Sequence, residues 1–386
     1  KRYDNSRILG SSQDQFVAGA SWQHLFRSGY IRTSGGFRSV EYSYIQQDSL
    51  EQAIFSNESR ESETYLSSVL VKQVSKQTEL SAGVQGRMVN ARGDLIVNTF
   101  ASSFGDTIRL QQSGEVSPSK GAVFVQLSQK LSPLTMTFGG RVDYYSLIQN
   151  GVQFSPRFSS SLALDAATSV TFSAGRYVQA PSAIWLLGNP ENKNLVPIRA
   201  NQLVLSVVRI IREDTKVSIE GYVKSYNQYP VSKDRPFLIM ANTGAGFGGT
   251  DEGFASFGLD TLVSSGTGEA FGIEFFLQKK LSEIPCYGTL SLSYNETRFT
   301  PLDGIIRPGS FDQRWIFNIG GGYVFSEQWE VSTKFRLVTG RPFTPFEPDG
   351  TQSAGRYNSV RVGTNHSLDV RVDRRWLFKT WTLVAY

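Results

Sequence analysis

Ser367-Leu368-Asp369-Val370-Arg371-Val372-Asp373-Arg374-Arg375-Trp376 decides how this chain is read. Leu368, Val370, Val372 and Trp376 fall on one parity, and Asp369, Arg371, Asp373 and Arg375 on the other. Successive side chains of a strand point to opposite faces, so the segment has one apolar face and one charged face. The same division recurs upstream. Trp315, Phe317, Ile319 and Tyr323 oppose Asn318, Gly320 and Gly322, and Phe271, Ile273, Phe275 and Leu277 oppose Glu274, Gln278 and Lys280. Trp329, Val331, Phe335 and Leu337 oppose Glu330, Lys334 and Arg336. Met136, Phe138, Val142 and Tyr144 oppose Arg141 and Asp143, and Val217, Ile219 and Val223 oppose Lys216, Glu220 and Lys224.

These stretches outrun the five or six residues usual for a soluble strand. They suit a tilted strand crossing a hydrocarbon slab of about 30 Å, which takes roughly nine to eleven residues. Burying charges of both signs in a dry core would cost several kcal/mol each. A wet interior leaves them solvated or paired across strands. Within lipid every backbone N–H and C=O must be paired internally, which only helices and closed barrels achieve. No apolar run here approaches the roughly eighteen residues of a membrane helix. The predicted class is therefore all-β, a transmembrane antiparallel β-barrel with lipid on the apolar parity and a hydrated lumen on the other.

The alternation predicts about sixteen strands, at 14–26, 29–46, 62–73, 77–90, 119–129, 133–147, 155–164, 168–178, 200–212, 215–229, 267–281, 286–299, 312–325, 328–340, 364–377 and 380–386. Taken in pairs they form hairpins with tight turns. The connections between pairs are longer: 47–61, 91–118, 148–154, 179–199, 230–266, 300–311 and 341–363. Outer-membrane barrels keep short turns on the periplasmic side and long loops outside. Two places depart from the pattern. The 200–212 segment is apolar on both parities, and Phe124 lies on a polar parity, as if another protein segment covered the lumen there.

Composition narrows the function classes. A net charge of +5 comes from basic residues scattered through strands and loops, which speaks against a nucleic-acid patch. One cysteine, Cys286, excludes an internal disulfide or a cysteine-built metal site. His366 and Ser367 are neighbours and point to opposite faces, and His24 and Ser21 differ in parity, so no nucleophile–base set is readable. No enzyme, no cofactor and no intrinsic metal site are expected. Asp251-Glu252 and Asp260 lack the ligand spacing of a calcium loop. The glycine-dense Asn242–Gly253 run lacks a P-loop ending and precedes a strand.

Several fragments, in order, resemble the barrel of TonB-dependent outer-membrane receptors. Gly268-Glu-Ala-Phe-Gly-Ile-Glu274 is similar to that family's "G-x-A-x-G-x-E" strand, and Phe311-Asp-Gln-Arg-Trp315 to its "D-Q-R-H" strand entry, with Trp315 where a His is common. Thr339-Gly-Arg-Pro-Phe-Thr-Pro345 resembles a "G-x-P-y-T-P" exit into a long loop, and Ser367–Trp376 the penultimate region. Gly175-Arg-Tyr-Val-Gln-Ala-Pro181 and Gly221-Tyr-Val-Lys-Ser-Tyr226 look like mid-barrel strands.

The resemblance implies an active outer-membrane receptor that takes up a scarce nutrient such as an iron chelate, cobalamin or an oligosaccharide. Its partners would be outer-membrane lipids, the nutrient and the TonB complex, reached through a plug domain. It also implies a barrel of twenty-two strands, of which residues 1–386 are expected to be a partial barrel domain without the plug. Trp185, Arg341, Phe343 and Phe346 in outer loops, with Arg141, Arg336 and Arg371 in the lumen, are the candidate ligand contacts. The alternative is a passive sixteen-stranded porin for small solutes, whose inward constriction loop would be 230–266.

Overall fold

A computed structural model describes residues 9–48, 50–105, 107–243 and 259–386. The Gly-rich 244–258 stretch, with Asp251 and Glu252, lies outside the described residues. Two long hairpins open the chain: β1 (Gly10–Phe26) with β2 (Gly29–Gln47), then β3 (Ala53–Gln73) with β4 (Thr78–Ala101). β5 (Thr107–Val116) and β6 (Ser119–Leu131) follow one another along β4, separated at Ser117-Pro118. Next come β7 (Leu134–Tyr145), β8 (Val152–Ala163), β9 (Thr168–Gln179), helix α1 (Ala183–Gly188), β10 (Ile198–Arg212), β11 (Thr215–Ser232), β12 (Leu262–Lys279) and β13 (Cys286–Thr300). The short β14 (Arg307–Pro308) and β15 (Trp315–Val324) both pair with β13, and β16 (Trp329–Val338) follows. β17 (Pro342–Phe343) and β18 (Val360–Arg361) pair within one outer loop, ahead of β19 (Asn365–Leu377) and β20 (Thr382–Ala385).

One antiparallel sheet of eighteen segments results. Because β5 with β6, and β14 with β15, each share a neighbour, the sheet has sixteen rows, as the alternation predicts. Neighbours in sequence are neighbours in the sheet, from β1 at one edge to β20 at the other. Among the described residues β1 and β20 do not pair, so the sheet is open. A closed sixteen-stranded porin would need that pairing.

Register confirms the assigned faces. Leu368 pairs with Phe335, Phe335 with Ile319 and Ile319 with Leu290, an apolar row outside. Asp369 pairs with Lys334, Lys334 with Gly320 and Gly320 with Thr289, a polar row inside. Leu368 and Val370 are 64% and 63% exposed although they are large hydrophobics. A face so apolar and so uncovered belongs in lipid.

Phe124 does not need a separate segment to cover it. Its ring lies over Gly83 of the neighbouring strand, in space a Cβ at 83 would take. Phe299 lies over Gly268, and Tyr222 over Gly272, in the same way. This explains the "G-x-A-x-G" spacing: inward glycines let aromatic rings of adjacent strands lie flat on the wall.

The predicted loops 47–61 and 91–118 are corrected. Both are largely strand, with β3 starting at Ala53 and β4 running to Ala101. β4 has 24 residues, roughly 80 Å at the usual rise, far more than the bilayer needs. Its apolar parity reverses on the way up. Val84 and Met88 face outward, whereas Val89, Ala91, Leu95 and Val97 are buried on the inner face. A strict period of two does not survive such a switch, so the sequence reads as irregular there.

Candidate functional site

The inner face of the tall hairpins holds the outer loops. Tyr44, Phe55, Leu95 and Val97 form a buried cluster against Ile184 of α1 and Leu259. Leu187 packs with Ala91 and Val116 and lies close to Gly93, where a Cβ would come within 2.9 Å of it. α1 therefore folds back inside the mouth. The loop 180–197 thus reaches inward, and described residues of the 230–266 connection pack there with it. Trp185 packs on Leu195, Met240 and Leu262, which joins this loop to the 233–261 connection. Between them Asn192, fully buried, donates to the carbonyls of Trp185 and Asp260 and accepts from the Leu262 N–H.

A second set of contacts reaches further across. Phe104, in the β4–β5 connection, meets Phe237 at 4.9 Å and Tyr357 at 6.2 Å, and those two rings are 5.2 Å apart. Strands β6 to β11 lie between these connections in the sheet, so the contact closes a chord over the mouth. Gln352 donates its N–H to the Ser103 carbonyl, and Asn358 ties the last loop to Pro308 and Ser310. Arg307, nearly buried, grips both oxygens of Asp303 at 3.0 and 2.7 Å. Burial pushes the Asp303 carboxyl up, but hydrogen bonds from Arg307 and the Ile305 N–H outweigh it and hold it below its ordinary value.

Below the mouth the lumen wall carries a polar cleft of about 190 Å³, lined by Gln85, Arg87, Lys120, Arg141, Asp143 and Tyr145 among others. Arg87, Lys120 and Tyr145 are one register row across β4, β6 and β7. Arg141 donates from Nε to Asp143 at 2.8 Å and from Nη2 to Gln85 at 3.1 Å. Arg87 lies 3.4 Å from Glu63. Lys120 has no hydrogen-bond or ion-pair partner among the described residues. Three cations face two carboxylates, leaving one positive charge free to meet an anion.

Arg371 pairs with Asp373 at 2.6 Å and lies over the Tyr386 ring, and the nearby Glu330 links Tyr287 to Arg375. Arg336 faces the lumen, exposed, without an ion-pair partner among the described residues. Arg341 and Phe346 are exposed in the last outer loop, and Phe343 is half-buried in its β17–β18 ladder. The structure thus brings only Arg141 into the cleft. Arg87 and Lys120 were missed, although each falls on the polar parity of its strand and could have been found by extending that parity to β4 and β6.

The comparisons with known proteins bear on the whole chain. The family model for the TonB dependent receptor-like β-barrel matches residues 1–386. Among solved structures, the ferric enterobactin receptor PfeA of Pseudomonas aeruginosa superposes with a TM-score of 0.68 at 13% identity, covering 97% of this chain and 56% of its own. The outer-membrane transporter YddB of Escherichia coli gives 0.67 at 8%, covering 96% and 57%. FpvAI, solved in complex with pyocin S2, gives 0.69 at 11%, covering 93% and 51%. At these identities the likeness is one of fold, and the chain spans about half the length of those proteins. No match was found among the curated proteins.

Proposed function

Since the chain belongs to the β-barrel family of TonB-dependent receptors and lies in the bacterial outer membrane, we propose that it forms wall and mouth of an active uptake receptor for an anionic metal chelate. The cleft of Arg87, Lys120 and Arg141 carries this reading, because an unpaired ammonium beside two guanidinium groups suits a carboxylate- or catecholate-rich ligand. Arg336 in the lumen and Arg341, Phe343, Phe346 and Trp185 at the mouth are proposed to line the approach. The ferric citrate transporter FecA and the ferric enterobactin receptor among the structural neighbours support the cargo class. The reading includes a plug domain and further strands outside these residues, through which TonB would act. The half-length match and the free edges of β1 and β20 support that part.

Uptake by cells carrying the full-length receptor tests it, with ferric citrate, cobalamin and a maltooligosaccharide as probes. Saturable uptake of the chelate that disappears without TonB is expected. Lys120→Ala and Arg141→Gln should each weaken chelate binding about tenfold, roughly 1.4 kcal/mol. Linear, TonB-independent flux of all three probes would establish the porin instead.

A further inference from the structure

The outer face of β9 to β13 carries a groove that the uptake function does not use. Phe172, Leu203, Leu205, Val223, Phe271 and Ile273 border a hollow of about 420 Å³. Its floor is Gly221, the register partner of both Leu205 and Ile273. A Cβ at 221 would meet only the Gly272 carbonyl, at 4.0 Å, so the hollow is open space and not a packed contact. Just beyond the groove, toward the outer loops, one register row crosses all five strands: Arg176, Asn201, Ser225, Glu269 and Arg298. An arginine stands at each end.

Arg176 donates from Nε to Asn201 at 3.0 Å, and its remaining N–H groups have no partner among the described residues. Arg298 shares the buried carboxylate of Glu296 with Arg314 and keeps 54% of its side chain exposed. Glu296 and Asp312 answer Arg314, and Glu296 with the cross-strand Glu269 answers Arg298, whereas Arg176, on the outward side of the wall above apolar rows, has no carboxylate partner among the described residues. A charge left over at a membrane interface, directly above an acyl-sized apolar hollow, matches one kind of molecule.

We propose that this surface binds an outer-leaflet lipid with a phosphate-bearing headgroup, one acyl chain in the groove over Gly221 and the phosphate at Arg176 or Arg298. The inference needs the outward orientation of this face and does not depend on which nutrient is carried.

The test is native mass spectrometry of the full-length receptor in detergent, with bis-phosphorylated lipid A, its dephosphorylated form and inorganic phosphate as probes. Retention of the phosphorylated lipid at least tenfold above the dephosphorylated one is expected, with no displacement by inorganic phosphate. The double variant Arg176→Gln/Arg298→Gln should lose that preference. Gly221→Leu should fill the hollow and lower retention several-fold with the phosphate preference intact. Heat-modifiable gel mobility checks that each variant is folded, and the wild-type comparison of the two lipids decides the matter even if a variant fails to insert. Equal retention of both lipids, displacement by inorganic phosphate or unchanged retention in Gly221→Leu overturns the proposal.

Discussion

β3 and β4 carry two proteins' worth of environment on one ribbon. In the lower part Leu66, Leu70, Val84 and Met88 face outward, while Glu63 and Arg87 face in and lie 3.4 Å apart. In the upper part the signs exchange: Phe55, Leu95 and Val97 are buried on the inner face, and Glu58, Arg60, Arg92 and Asp94 line an outward polar hollow. Hydrogen-bond pairing continues unbroken through the change. What differs is the solvent on each side. Below, oil lies outside and water within; above, water lies outside, and folded-back loops supply a dry core within. A β-sheet tolerates this because its ladder is indifferent to which face is apolar.

Four measurements would break or sharpen this contrast. The largest effect belongs to the upper core. Phe55→Ala should destabilise the upper hairpins by about 3–5 kcal/mol, read as accelerated proteolysis and hydrogen exchange of 53–60 and 91–98. Little change in exchange there would mean the inner cluster is not a core. Next, Phe317→Arg or Val370→Arg, at lipid-facing positions, should cost about 2–4 kcal/mol in vesicle refolding titrations. The neighbouring inward changes Asn318→Arg and Asp369→Asn should be much milder, and equal costs on the two parities would refute the assignment of faces. Third, Glu58→Ala and Arg92→Ala, outward but above the lipid, should each stay within about 0.5 kcal/mol, unlike outward changes lower down.

The smallest effect is a pH dependence in the cap. Asp303 has a folded pKa below its unfolded one, so its pairing with Arg307 stabilises the 301–314 loop above the unfolded value of about 3.9. That contribution is lost as pH falls through the folded pKa. Protease sensitivity of this loop should therefore be flat between pH 5 and 8 and rise only in stronger acid, and Asp303→Asn should remove the acid-side rise. A rise near neutrality would contradict the pairing.

Alternation made the band legible. Strands β15, β16 and β19, whose outer faces meet lipid through their length, appear in the sequence with their parity and near their observed bounds. The extensions of β3 and β4 did not, since Glu58-Ser-Arg-Glu-Ser-Glu63 is polar on both parities where water wets the outer face and the lumen face is only partly covered. The candidate contacts fared unevenly for a related reason. Arg141 could be placed in the lumen from its parity, but its pairing with Gln85, 56 residues away, depends on β6 running between β4 and β7. Trp185 was readable as an aromatic in an outer loop; that it joins Leu195 to Met240 and Leu262 was not.

The sequence by itself determined that this chain is a membrane-crossing sheet, where most of its turns fall, and which side chains face oil, because these follow from a two-residue period acting locally along each strand. Only the tertiary structure decided where that period reverses, that Phe104, Phe237 and Tyr357 meet over the mouth, and that Arg87, Lys120 and Arg141 share one cleft. Those outcomes depend on strand register and on loops returning to distant strands, and no local pattern encodes a contact between residues that lie on different strands or loops, far apart along the chain.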